Sequence, residues 1–184
     1  MVRVAGNVLG AECLGSLAYA AEHMADSLRI VVVLGHSGCG AVTAGVDAFL
    51  DTAAYQTGVF GAPLRAIVDR VLLSVWQASQ ALEPRAGASV RESAGYRAAL
   101  IEISVAVNAG LTAMTLREEL VERVAGELGA VFGIYDLATH HVGVPGTGAV
   151  GEVALRAPPS DAAGLEALAA SVAGNPQVQA LLRD

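Results

Sequence analysis

The chain has 184 residues, 54% hydrophobic and 16% charged, enough for one domain with a substantial core, expected to span residues 1–184. Its 18 acidic and 11 basic residues give a net charge of −7 with no basic cluster, which argues against a nucleic-acid partner. No apolar run approaches the ~20 residues of a membrane-crossing helix, no signal peptide opens the chain, and two cysteines are too few for a disulfide framework; the expectation is a soluble, cytoplasmic protein without a membrane partner.

Val2 to Ala5 reads as a short strand that runs directly into Gly6-Asn7. From Glu12 to His23, Leu14, Leu17, Ala18 and Ala21, with Met24 beyond, recur at helical spacing, and Asp26-Ser27 breaks the pattern. Ile30 to Leu34 is an uninterrupted β-branched and leucine run, the pattern of a central parallel strand covered on both faces. Gly40 to Leu50 returns to helical spacing, which places His36 and Cys39 in the loop at a strand's carboxyl end, where open α/β sheets bind ligands.

Pro63 sits in the first turn of a helix predicted over Leu64 to Leu82, with Glu83 to Gly87 as its end. A helix is predicted from Glu92 to Ala109 and another from Leu116 to Leu128, the latter opened by a capping box of Thr115 and Glu118 and stopped by Gly129. Ala130 to Leu137 reads as a strand, Asp136 to His140 as a turn, and His141 to Val144 as an antiparallel edge strand. Beyond Pro158-Pro159 the chain turns alanine-rich, with helical spacing from Leu165 to Val172 and near Val178 to Leu182; residues 160–184 form a helical tail packed on the domain or on a partner.

His36-Ser37-Gly38-Cys39-Gly40 carries the chemistry. A histidine and a cysteine three positions apart on a turn can both reach one zinc ion, at ~2.0 Å for nitrogen and ~2.3 Å for sulfur. Cys39 lies where the next helix begins, and a helix amino end favours the thiolate that a metal requires. Gly38 and Gly40 let the backbone fold tightly around it. The competing reading is that both side chains simply pack in a turn, since short motifs recur by chance.

Three blocks extend beyond that motif. Val2-Arg3-Val4-Ala5-Gly6-Asn7-Val8, Leu14 to Ala20, and Val32 to Val42 stand in order, and Gly133-Ile134-Tyr135-Asp136 forms a fourth. Together they resemble the β-class carbonic anhydrases, closely over residues 2 to 45 and again near 130 to 144. The resemblance implies an α/β fold, a three-layer, mostly parallel sheet flanked by helices, and zinc-dependent reversible hydration of carbon dioxide to bicarbonate. It makes His36 and Cys39 two of three zinc ligands and implies a homodimer or higher homo-oligomer.

In that family the third ligand is the cysteine of a Cys-x-Asp-x-Arg segment, whose aspartate and arginine form a catalytic pair. That segment lies on a strand preceding the block that matches Arg3 to Asn7, and this sequence starts after it. The first central strand, which belongs between the strands matching Val2 to Ala5 and Ile30 to Leu34, is therefore expected to be missing. A longer natural chain, a closed-up sheet without activity, and a strand supplied by another chain all accommodate this. Cys13 is the substitute third ligand that the chemistry offers, against its ordinary reading as a packed residue. His23 reads as a helix-end residue, His140 and His141 as exposed turn residues, and Asp26 and Asp136 as cap and turn residues. No carboxylate pair is spaced for acid-base work.

Two other functions stay open. A non-catalytic relative would use its surplus apolar helix faces as an oligomerisation or interaction module. An anion or nucleotide binder would use Gly35 to Gly40 at the helix amino end, although the loop has no phosphate-binding lysine.

Overall fold

The computed structural model describes residues 1–57, 61–121, 128–145 and 154–183. Where apolar residues recur at spacings of three and four, helices form: α1 (Ala11–His23), α2 (Gly40–Leu50), the short α3 (Thr52–Gln56) and α4 (Ala62–Ala86). Pro63 occupies the first turn of α4. The helix runs through Glu83 to Ala86 instead of ending there. Pro84 sits exposed in the last turn, where its missing N–H removes one bond, and the helix stops at Gly87, whose φ of 84° suits glycine.

The two helices predicted between Glu92 and Leu128 are replaced over the described residues by one, α5 (Tyr96–Leu116), continued by a π-helical turn, Arg117–Val121. Ala88–Glu92 forms a separate 3-10 turn. The capping box does not form, because Thr115 is inside the helix and its hydroxyl donates to the Leu111 carbonyl at 3.1 Å. Burial explains this: α5 packs against α2, α4, α6 (Ala162–Ala173) and both long strands, and tertiary contact outranks a local cap signal. The end of the predicted 116–128 helix lies outside the described residues. By length and composition Tyr96–Val121 could cross a membrane, contrary to the expectation that no apolar run comes near that length; its most apolar 18-residue window is 78% buried within the protein.

β1 (Ile30–His36) pairs in parallel with β2 (Gly129–Tyr135), from Ile30 opposite Gly129 to His36 opposite Tyr135. β2 then pairs antiparallel with β3 (Val142–Gly143), and Phe132 bridges to Arg156. Gly129, expected to stop a helix, opens β2. Val2 to Ala5 is not a strand: Val4 is extended, but Ala5–Asn7 is a 3-10 turn. Valine fits a pleated surface without creating one, and no strand pairs with this segment among the described residues.

The sheet order is β1-β2-β3, which makes β1 an edge strand and not a central one. Val33 and Gly35 on one face are buried under α5, whereas Ile30, Val32 and Leu34 on the other are 49%, 43% and 45% exposed. The expected cover on both faces is therefore reduced to one among the described residues. α5 lies between the sheet and a layer formed by α4 and α6.

The carboxyl-terminal region docks on this body. α6 (Ala162–Ala173) is capped by Asp161, whose carboxylate accepts from the Gly164 N–H at 2.8 Å, and α7 (Pro176–Leu181) by Asn175. Leu165, Ala169, Val172 and Val178 join the core, and Leu168 packs over Gly110 of α5.

Candidate metal centre

The loop between β1 and α2 is fixed from both sides. The Ser37 N–H donates to the Tyr135 carbonyl at 3.0 Å, and the Ser37 hydroxyl accepts from the Leu137 N–H at 2.9 Å, so the loop is latched to the end of β2. Gly38 turns the chain with φ 63°, a conformation that side-chain-bearing residues rarely adopt. Gly40 has no such conformation and begins α2 with open space around it, so only the first glycine is needed by the turn. Cys39 occupies the N-cap of α2, reduced and 7% exposed.

His36 and Cys39 line one small pocket together with Gly6, Asn7, Val42 and Val105. The Nδ1 of His36 lies 3.0 Å from the Ser37 carbonyl, which leaves Nε2 as the nitrogen free to bind. Asn108 of α5 forms another wall, and its Nδ2 donates to the Gly6 carbonyl at 2.6 Å, while its Oδ1 accepts from the Ser74 hydroxyl at 3.4 Å. That buried amide ties the Gly6-Asn7 turn to the helix behind the loop.

Glu102, also on α5, faces Gly38. Burial and the nearby Asp136 push its carboxyl above the usual range, while the Gly38 N–H acts in the opposite direction. Asp136 is held below its usual value because its carboxylate accepts from the Ala138 and Thr139 N–H groups at 2.7 and 3.2 Å. The two carboxylates feel one another across the loop, although nothing in their sequence spacing suggests it. Asn108 and Glu102 went unread in the sequence. The available signal was their polarity inside the apolar run of α5.

Cys13 is half-buried on α1 and is not among the residues lining the pocket. His23 is exposed, with Nδ1 3.0 Å from the Tyr19 carbonyl and its ring stacked on Tyr19. His140 and His141 are exposed in the turn after β2, His140 with φ 61° and stacked on Tyr135. Among the described residues no three histidine, cysteine or carboxylate side chains gather where they could share an ion. Imidazole and thiolate are the donor types that zinc prefers, so His36 and Cys39 fit the metal in kind and fall short of the three ligands of a catalytic site.

The family model of carbonic anhydrase matches residues 1–142, most of the chain and all of this loop. The chain belongs to the carbonic anhydrase family, in its β class. Over 75 residues it is 39% identical to carbonic anhydrase 2 of Mycobacterium tuberculosis, in each of two strains. That similarity covers 41% of this chain and 33% of the relative, so the matching stretch spans about a third of the curated carbonic anhydrases' length.

Proposed function

We propose that this carbonic anhydrase family member uses His36 and Cys39 as two of three zinc ligands in the reversible hydration of carbon dioxide to bicarbonate. The observation that carries this reading is that both donors line one pocket at the carboxyl end of a parallel strand, with the cysteine at a helix amino end. The third donor would come from a segment upstream of Val2 or from another chain. Zinc, when bound, lowers the pKa of its water from ~15.7 to near ~7. The chain's own part is to orient the two donors through the Ser37 latch and the Gly38 turn, and to offer an uncharged gas the small apolar walls of Val42 and Val105.

With the third donor supplied, dialysed protein is expected to retain about one zinc per chain, and to hydrate carbon dioxide faster than buffer in a stopped-flow indicator assay. His36→Ala and Cys39→Ala should each abolish zinc retention. Unchanged zinc content in either variant would refute the ligand assignment, and metal-free, inactive wild-type protein would refute the activity for this chain. A second reading, a homo-oligomeric interaction module, is favoured by the exposed apolar face of β1 and by the short donor set. A monodisperse monomer at working concentrations would exclude it.

A further inference from the structure

Asn108, Thr112 and Thr115 break the apolar run of α5 along one stripe, at i, i+4 and i+7. All three line a solvent-open groove of about 410 Å³ between α4, α5 and the Val8-Leu9 segment. The two threonines differ. Thr115 spends its hydroxyl hydrogen on the Leu111 carbonyl, the usual back-bond of a helical threonine, whereas the buried Thr112 donates to no acceptor among the described residues.

Arg70 of α4 completes the groove. Its Nη1 donates to the Leu9 carbonyl at 2.6 Å, which fixes the guanidinium in place and leaves Nε and Nη2 available. Arg91, Arg97 and Arg117 each lie beside a carboxylate, but none lies within ion-pair distance of Arg70 among the described residues. In a chain of net charge −7, a cation held in place without an anion, lining the same groove as a hydroxyl with no acceptor among the described residues, is a recognition pattern.

We propose that this groove binds a small monocarboxylate with a short alkyl chain. The carboxylate takes hydrogen bonds from Arg70 and Thr112, and the alkyl chain lies against Val8, Leu9 and Leu111. One cation matches one negative charge, while a phosphate dianion would remain half-neutralised and would face apolar walls. Asn108 lines both this groove and the pocket at His36 and Cys39, so the ligand sits behind a wall shared with the metal loop.

Isothermal titration of the intact chain with butyrate, butyramide and inorganic phosphate tests this. Butyrate is expected to bind saturably at about millimolar affinity, as suits so small a ligand. Arg70→Ala should weaken it by about tenfold or more, and the near-isosteric Thr112→Val by about fivefold. Butyramide and phosphate should each bind at least about tenfold more weakly than butyrate. Thr112→Val keeps the side chain's volume, so its thermal unfolding should match wild type and its loss of affinity reports the groove; Arg70→Ala also loses the bond to the Leu9 carbonyl and should melt somewhat lower while remaining folded. Absent butyrate saturation, unchanged affinity in either variant, or a neutral amide or phosphate binding as tightly as butyrate would overturn the assignment. The readout involves neither zinc nor hydration, so its outcome is independent of the proposed activity.

Discussion

Asn108 does at one position what a capping or ligand motif does over several. Its side chain, 5% exposed, satisfies the Gly6 carbonyl and accepts from Ser74, so Asn108→Ala should cost about 1–3 kcal/mol in urea unfolding. Leaving the Gly6 carbonyl unpaired should also loosen the turn beside the loop that carries His36 and Cys39. Glu102 makes a separate prediction through pH. Its folded pKa is raised, so the folded state holds its proton more tightly than the unfolded chain does, and stability falls as pH rises from the ordinary carboxylate range through the raised value. Glu102→Gln should therefore stabilise the protein at neutral pH and lose that advantage in acid; an equal effect at both pH values in thermal melts would refute it. That His36 and Cys39 share one loop at the end of a strand was legible in sequence because their spacing and neighbours form a pattern. Asn108 and Glu102 were not, because their partners are a backbone carbonyl and a backbone N–H far away along the chain.

The elements were legible where periodicity alone decides them, as in α1, α2, most of α4 and the two longer strands. They were misread where packing overrides a local signal. Thr115 looked like a cap and became a helix-interior residue; Val2 to Ala5 looked like a strand and found no neighbour to pair with. The docking of α7 could not be read from composition either, since it depends on the absence of a side chain. A Cβ built on Gly95 would stand 1.6 Å from the Leu181 carbonyl oxygen, and Ser93 donates its hydroxyl to the Leu182 carbonyl beside it. Gly95→Ala must push α7 away and should cost about 1–3 kcal/mol, with faster proteolysis of the α6–α7 segment. A variant with wild-type melting and protease resistance would show that α7 shifts freely.

At the scale of the molecule, the helices bury one face of the sheet and, among the described residues, leave the other exposed. Leu34 and Leu155 flank Gly133 on that face, continuous with Ile30 and Val32. Val32→Lys should change stability by no more than about 0.5 kcal/mol, as exposed positions do, yet shift light-scattering mass toward smaller species if this face joins copies together. An unchanged mass distribution would place any oligomer contact elsewhere. The pairing of β1 with β2 has a further consequence, for the order of events in folding. Ile30 meets Gly129, 99 positions later, and the two strands cannot align until the chain between them has been gathered in by α2, α4 and α5. Contacts this distant close slowly. A nascent chain therefore carries the hydrophobic strand Ile30–His36 unpaired until β2 has been made, which is the interval in which a chaperone or a second nascent chain would meet it.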